Sequence, residues 1–330
     1  MNLNDLQFVV TIAEEKNITR AAERLFVTPS ALTQMIQRLE HEMGVSLFLR
    51  SRSGCFPTEE GKVFVNSARE VVRIMRETNS RIHDIADNHT ATLSVSFPPE
   101  HGAQMFSTVY SAFRRSYPNI TISVRETSVR KQQAMVASGE LDLGFMTLID
   151  SQKTVDVYIP LVREEMLIAL PSDAEPARYC VQEAGSRFPV LDLAYLKGYP
   201  MGQLYKESTF RSWTDSLFSK AGYFPSVIIE ATRPSTLLNL VATGMCGCLV
   251  TDYQCRNRFS SGDFSFFCLP SHPYWHIMAC YKRGGYLSNP MKTLIGLAKE
   301  YWLSRETNLY HDGPRMENDP SPSPQATAAV

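Results

Sequence analysis

At 330 residues the chain is too long for one ordinary hydrophobic core and requires two or three domains. Hydrophobic side chains at 44% and charged ones at 20% describe a globular protein, and no run of about eighteen apolar residues offers a membrane span. Lys+Arg 33 against Asp+Glu 34 leaves a net charge of −1, which excludes attraction of nucleic acid by bulk positive charge.

The opening stretch MNLNDLQFVV lacks the basic flank and small-residue cleavage site of an export signal, so a cytoplasmic protein is expected. Residues 3 to 15 read as a helix with Leu6, Val9, Val10 and Ala13 on its inner face. Thr19 precedes a short helix over RAAERLF, with Ile18 covering its first turn, and Val27 ends it. Thr28-Pro29 starts the next helix at once, since threonine accepts from an orphan N–H and proline at the first position has none to waste. Ala31, Leu32, Met35, Ile36, Leu39 and Met43 then recur at helical spacing and leave Ser30, Thr33, Gln34, Gln37 and Arg38 on the other face.

Two helices with almost no loop between them, the second bearing a Ser/Thr/Gln/Arg face, form a helix-turn-helix. Gln can pair with adenine N6/N7 and Arg with guanine O6/N7, while Ser and Thr suit either donors or acceptors. Any helix at a protein surface has a polar face, so the context decides. Gly44 stops the helix, Val45, Leu47 and Phe48 return to the core, and LRSRSGCFPTEEG has the pattern of a two-stranded wing with Arg50 and Arg52 beside passing phosphates. The domain is nevertheless neutral: the first 58 residues hold six basic side chains and six acidic ones. Its non-specific affinity should be modest and depend on where its few arginines and its helix N-termini point.

NDLQFVVTIAEEKNITRAAERLFVTPSALTQMIQRLEHEMGVSLFLRSRSGCFPTEEG resembles the N-terminal domain of LysR-type transcriptional regulators, without a gap. That resemblance implies that Thr28, Pro29, Ser30, Thr33, Gln34 and Gln37 open the recognition helix and that Arg50 and Arg52 belong to the wing; Arg38 joins them from its chemistry. It also implies double-stranded DNA, a small-molecule effector and further copies of the chain, as homodimer or homotetramer, as partners, with RNA polymerase a further candidate.

Thr58 is placed to cap a long helix from about Gly61 to His89, with Glu59 and Glu60 at its positive end. Phe64, Val71, Thr78 and Ile85 are spaced by seven, and Ala68, Met75 and Ile82 interleave with them. That four-three alternation is a coiled-coil seam. The alternative is an amphipathic helix lying on its own domain. In LysR-like proteins the corresponding linker helix is the dimer contact, and a dimer carries two recognition helices to an inverted repeat.

From Leu93 onward strands and helices alternate. Leu93–Phe97, Ile120–Arg125 and the segment around Leu141–Phe145 enclose two helices and predict a parallel α/β unit. A second unit follows Leu170-Pro171, with parts at Tyr199-Pro200-Met201, Thr209–Ala221, Val227–Glu230, Pro234–Thr243 and Cys248–Val250. Phe266–Leu269, Ile277–Tyr281 and a last helix are expected to return to the first unit. SGELDLGFM and VATGMCGCLV resemble the LysR effector domain, which is built like a periplasmic binding protein. The expected fold is thus α/β: a winged helix-turn-helix over 1–58, a linker helix over 59–90, and a two-lobed effector domain over 91–310. Lobe 1 would take 91–162 and 266–310, lobe 2 163–265, and residues 311–330, rich in Pro, Ser, Asp and Ala, would form a disordered tail.

Two lobes crossed twice by the chain enclose a cleft at their strand ends. By resemblance it would be lined by Pro98, Pro99, Glu100 and His101, by Thr127 and Ser128, by Thr147, and by Met201, Gly202 and Gln203. Hydroxyls and helix N-termini there suit a carboxylate or another anion. Pro98-Pro99 stands where family members often carry Ser or Thr, so one hydroxyl arm of the usual clasp is missing, and Glu100 would repel an anion.

Seven scattered cysteines in a chain without an export signal point to free thiols. Cys246 and Cys248 are either small apolar residues of a buried strand or, as in some LysR-like peroxide sensors, a redox pair; Cys-x-Cys on a strand places the two about 7 Å apart, awkward for a bridge. No second Cys/His pair stands at zinc-ligand spacing, so neither metal nor cofactor is expected. No P-loop, GxGxxG, HExxH or GxSxG is present, which argues against an enzyme. A solute-binding protein would have similar lobes but no helix-turn-helix. The expected function is effector-modulated DNA binding, with thiol-based sensing on the same fold as the alternative.

Overall fold

The structure is a computed structural model and describes residues 1–51, 54–86, 92–99, 101–255 and 264–311, the side chains of 101 and 305–311 excepted. Its N-terminal unit comprises α1 (Leu3–Glu15), α2 (Ile18–Leu25), α3 (Pro29–Met43), β1 (Phe48–Ser51) and β2 (Gly54–Pro57). A capping box opens α1: the Asn2 carboxamide accepts from the Asp5 N–H and the Asp5 carboxylate from the Asn2 N–H, both at 2.9 Å. The cap of α2 is Asn17, whose Oδ1 accepts from the Arg20 N–H at 3.1 Å, so Thr19 lies inside the helix rather than before it. Phe26, in the left-handed region, ends α2. Thr28 Oγ1 then accepts from the Ala31 N–H at 3.2 Å with Pro29 at the first helical position, and Gly44 at φ 70° closes α3. Val9, Ile12, Ala21, Leu32, Ile36, Leu39 and Leu47 form the core of this unit, each larger one contributing roughly 1.5–3 kcal/mol by leaving water.

Thr58 joins the wing to α4 (Glu59–Ala86) by donating to the Ser46 carbonyl at 2.7 Å and accepting from the Gly61 N–H at 2.9 Å. The helix therefore begins two residues before the expected Gly61, directly after its cap. Its expected continuation to His89 falls outside the described residues.

Beyond it follow β3 (Thr92–Phe97), α5 (His101–Ser116), β4 (Thr121–Glu126), α6 (Val129–Ala137), β5 (Leu143–Leu148) and the long β6 (Val157–Pro171). Then come β7 (Pro200–Leu204), α7 (Thr209–Lys220), β8 (Ser226–Ala231), α8 (Pro234–Ala242), β9 (Gly247–Thr251) and the short α9 (Asp252–Cys255). The series ends with β10 (Phe264–Cys268), β11 (Tyr274–Tyr281) and α10 (Asn289–His311). The described strands of this region join in a sheet ordered β4-β3-β5-β11-β6-β9-β7-β8, with β10 also on β6. β3 runs parallel to β4 and β5, and β7 to β8 and β9, which are the two α/β units expected. The link between them is antiparallel, through β6 and β11, so the sheet is mixed rather than parallel throughout.

The expected return of Phe266–Leu269 to the first lobe is corrected. β10 pairs antiparallel with Leu167–Pro171, the far half of β6, and Phe266 and Phe267 sit in the second-lobe core with Trp213, Phe218 and Trp275. The 15 residues of β6 carry it well into the second lobe, where β9 takes one edge and β10 the other. β11 and α10 go back, to pack with Val95, Phe113 and Phe145 in the first-lobe core.

Candidate DNA-reading face, linker seam and effector cleft

On α3 the buried residues Leu32, Met35, Ile36 and Leu39 face the three-helix core, and Ser30, Gln34 and Gln37 are exposed on the other side. Thr28 Oγ1 lies 3.0 Å from Ser30 Oγ, Thr33 is half-buried, and Arg50 of the wing reaches toward Thr33 Oγ1 at 3.5 Å. The helix and the wing thus present one continuous polar surface. Arg38 shares that side of the helix but is engaged within the domain. Its guanidinium is held 2.5 Å from the buried Asp5 carboxylate, which locks α3 to the first turn of α1. Arg24 is likewise spent on Glu14 and Glu15, at 2.7 and 2.9 Å. Arg52 lies outside the described residues. Two residues here escaped sequence reasoning. Phe26, in the turn between the helices, is 96% exposed and offers an apolar surface beside α3. Glu40 Oε1 accepts from the N–H groups of Leu47 and Phe48, at 2.7 and 3.0 Å, and so aims the wing.

The linker helix has two faces with different partners. Near its start Val65 and Phe64 pack on the winged-domain core, and Ala68 is buried as well. Phe64 and Ala68, expected in the intersubunit seam, are therefore used within the chain. Farther along, charged residues grip the first lobe. Glu70 meets Lys282 and Arg76 lies 3.3 Å from Asp142, while Arg73 pairs with Glu70 and Glu77 of its own helix at 2.9 and 2.6 Å. Asp84 Oδ2 accepts from the Tyr286 hydroxyl and the Asn289 N–H at 2.8 and 2.9 Å. The remaining seam residues, Val71, Met75, Thr78, Ile82 and Ile85, are exposed on the far side, and Ile74 joins them. Ile82 is 56% and Ile85 86% exposed, the most open part of an apolar stripe.

Between the lobes opens a cavity of about 300 Å³. Pro98, Pro99, Ser128 and Thr147 line it from the first lobe as expected. Thr127 is not among its lining residues: its N–H donates to the Phe97 carbonyl at 3.2 Å and its own carbonyl accepts from Gln132 Nε2 at 3.0 Å. Met201 and Gly202 are also absent from the wall, because β7 runs on to Leu204; Met201 is in the second-lobe core and a side chain at Gly202 would strike Leu237. Gln203 is buried, with neither amide atom hydrogen-bonded among the described residues, and it too is missing from the wall. The second-lobe lining begins where the strand ends, with Leu204, Tyr205 and Ser208, and takes in Phe210, Arg233 and Trp275. Glu100 and the side chain of His101 lie outside the described residues.

Three helix N-termini converge on this cavity: Ser128 before α6, Ser208 before α7 and Arg233-Pro234 at the start of α8. Ser208 Oγ accepts from the Phe210 N–H at 3.2 Å, whereas Ser128 caps nothing with its hydroxyl. Behind the wall stands Glu164, fully buried, whose Oε2 accepts from Trp275 Nε1 at 2.9 Å and lies 3.1 Å from the Thr251 hydroxyl. Thr251 also sits 2.7 Å from Gln254 Oε1, so one carboxylate organises the aromatic and polar parts of the wall together. The lobes touch through Gln152 Nε2, which donates to the Thr209 carbonyl at 2.8 Å, and Thr209 Oγ1, which donates to the Thr147 carbonyl at 3.2 Å.

All seven thiols are free, and Cys180 alone is not buried. Burial pushes the Cys246 and Cys248 thiols up, Cys248 further through its neighbour Cys246. A peroxide-reactive cysteine is an accessible thiolate, and this pair is neither.

A nucleic-acid-reading winged helix-turn-helix, a linker helix with a free apolar stripe and a two-lobed α/β cleft are the parts of an effector-controlled transcriptional regulator. Residues 3–62 match the bacterial regulatory helix-turn-helix protein, lysR family, and residues 86–303 the LysR substrate binding domain. The chain belongs to the LysR family. It is a LysR-type transcriptional regulator with an effector-binding domain. It is 27% identical over 245 residues to the DNA-binding transcriptional dual regulator OxyR of Escherichia coli strain K12, covering 74% of this chain and 77% of that one. Over 313 residues it is 23% identical to the uncharacterized HTH-type transcriptional regulator YcgK of Bacillus subtilis, with 91% and 94% covered. Among solved structures, a full-length OxyR variant from Pseudomonas aeruginosa superposes with a TM-score of 0.67 at 21% identity, over 91% of this chain and 94% of that one. Full-length CbnR in complex with its target DNA gives 0.56 at 20%, over 91% and 99%. No helix of the described residues is long and apolar enough to cross a membrane.

Proposed function

We propose that the chain acts in the cytoplasm as a dimer, or a pair of dimers, that reads an inverted repeat in double-stranded DNA and is switched by a small anionic effector with an apolar body. Thr28, Pro29, Ser30, Thr33, Gln34 and Gln37 face base edges and the adjoining backbone, Arg50 meets phosphate, and Phe26 supplies an apolar contact for a thymine methyl or a sugar. The observation that carries this reading is the row of exposed Ser30, Gln34 and Gln37 on a helix whose opposite side is fully committed to a core. The exposed stripe from Val71 to Ile85 takes the same stripe of a second copy. No catalytic residue and no resident cofactor enter the mechanism.

For the cleft, three helix N-termini and Arg233 favour a carboxylate or similar anion, while Phe210, Trp275, Pro98 and Leu204 accept an apolar body. Binding favours one lobe arrangement, which changes the spacing of the two recognition helices and the bend of the DNA. Protection footprinting of the purified protein on fragments selected from genomic DNA tests the reading. Two protected half-sites an integral number of helical turns apart are expected, and absence of any protected site overturns it. Thiol sensing is a poorer fit, since Cys246 and Cys248 are sealed in the second lobe. A Cys246–Cys248 bond found under mild oxidant by mass spectrometry, together with altered DNA binding, would reinstate it.

A further inference from the structure

Where β10 gives way to β11 the chain crosses back from the second lobe to the first, and three donor side chains meet at that crossing. Glu165 stands on β6 opposite Tyr274, the first residue of β11; Cys268 is the last residue of β10; His272 lies in the turn between those strands. A carboxylate oxygen of Glu165, the Cys268 sulfur and a ring nitrogen of His272 all lie within 4.8 Å of one another. His272 Nδ1 is 2.6 Å from Glu165 Oε1, and the other ring nitrogen, Nε2, is 3.2 Å from Ser186 Oγ. The Cys268 thiol donates to the Glu165 carboxylate, and the backbone of Phe188 bonds the sulfur. Ser271 and His272 both hold positive φ, 65° and 45°, and that two-residue left-handed turn is what aims the imidazole back at Glu165.

We propose that Glu165, Cys268 and His272 form a binding site for a thiophilic divalent cation of the zinc class, with solvent completing the coordination. One oxygen, one sulfur and one nitrogen donor form a set that such an ion accepts and that magnesium or calcium does not. Bonds of about 2.0–2.3 Å to a tetrahedral centre place ligand atoms roughly 3.3–3.8 Å apart. No edge here exceeds 4.8 Å, and the Glu165–His272 edge of 2.6 Å must open while any longer edge closes. Both are side-chain rotations within reach, because the His272 and Glu165 side chains are 41% and 30% exposed. That same exposure gives the ion its way in, whereas Cys268 is fully buried. The supporting contacts fit: a hydroxyl on Nε2 fixes the ring and leaves Nδ1, here paired with Glu165, on the side of the donor set, and a backbone bond to the sulfur holds it in place. Cys268 and His272 are four residues apart, but Glu165 is about a hundred residues earlier, which is why ligand spacing along the chain gave no hint of the site.

The position gives the site a consequence. Glu165 belongs to the strand that carries the chain into the second lobe, and Cys268 and His272 to the segment that brings it back. An ion bound to all three ties the two crossings together and stiffens the hinge on which lobe closure turns. The proposal stands on these residues alone, whatever the DNA site and the effector are.

Titration of the tag-free, full-length protein with Zn²⁺ by calorimetry and with Co²⁺ by absorption tests it. One ion per chain is expected, with a cobalt–thiolate charge-transfer band. Glu165→Gln and His272→Gln should each weaken binding about tenfold or more, and Cys268→Ser should abolish the band. The His272 side chain is 41% exposed, and the melting curve of His272→Gln is recorded without metal beside that of the unsubstituted chain, so that weakened binding is read on a folded protein. Failure of the unsubstituted chain to bind either ion overturns the proposal. So does binding of equal affinity and spectrum in His272→Gln and Cys268→Ser, which would mean an adventitious ion only.

Discussion

Gln34 and Arg38 stand one helical turn apart on α3 and share its polar side, yet they meet different partners. Gln34 is exposed and faces away from the core, whereas Arg38 is bound to Asp5. Gln34→Ala should leave the urea midpoint unchanged and weaken operator binding by about 1–3 kcal/mol; unaltered affinity in fluorescence anisotropy would remove it from the base-reading set. Arg38→Ala should do the reverse. Its guanidinium is about half exposed, so the loss of the ion pair costs about 1 kcal/mol at most, read as a lower urea midpoint, with operator affinity per folded molecule nearly unchanged. Nothing local separates these two side chains. The helix, its Thr28-Pro29 start and its Gly44 stop could all be read from neighbours in sequence, but the fate of Arg38 is decided by Asp5, 33 residues away. Glu164 is hidden for the same reason, since its partner Trp275 is 111 residues distant.

The linker helix shows at the next scale what a seven-residue repeat can and cannot tell. The repeat is local, so the stripe was legible; which part of it would be covered by the chain's own domains was not. Phe64 and Ala68 are covered, because a side chain at Gly61 would come within 1.9 Å of the Leu47 carbonyl and only glycine lets the helix start that close to the wing. The open part, Val71 to Ile85, carries the dimer prediction: Met75→Asp or Ile82→Asp should yield monomers in light scattering, with the helical signal of the isolated chain retained. A dimer that persisted in both would rule the stripe out. The opposite face makes a pH prediction. Burial raises the Glu70 carboxyl, but the stronger combined pull of Lys282 and Arg73 leaves it below its ordinary value. A carboxylate lowered in the folded state stabilises above its unfolded pKa of about 4.3, and the contribution fades as the pH falls through the lower folded value. Lys282→Ala should therefore lower stability at neutral pH, and the difference from the unsubstituted chain should shrink below about pH 4 in denaturant titrations.

At the scale of the whole molecule, the weak charge of each winged domain and the size of the cleft belong to one mechanism. Arg24 and Arg38 are neutralised within the domain, so a single copy has few free cations to set against phosphate, and two copies on one duplex double the number. Dimerisation is then a condition for tight binding, and whatever moves the dimer arms controls it. The lobes already meet through Thr209, which touches both Thr147 and Gln152, so a ligand at the N-terminus of α7 bears directly on that contact. The sequence placed Pro98, Pro99, Ser128 and Thr147 in the first-lobe wall but not its exact membership, since Thr127 turns away, and it set the second-lobe wall three residues early, because the end of β7 depends on its pairing with β8 and β9 rather than on its own residues. Arg233 is the cation this correction brings into the cleft. A screen of small carboxylates by thermal unfolding should therefore find compounds that stabilise the protein, by about 2.7 kcal/mol at a hundredfold excess over Kd. The same compounds should stabilise Arg233→Ala far less while leaving its melting point without ligand nearly unchanged, since Arg233 makes no cap bond with its side chain. Equal stabilisation of both proteins would place the anion elsewhere, and a ligand that raised the melting point without altering the footprint would separate cleft binding from control of DNA.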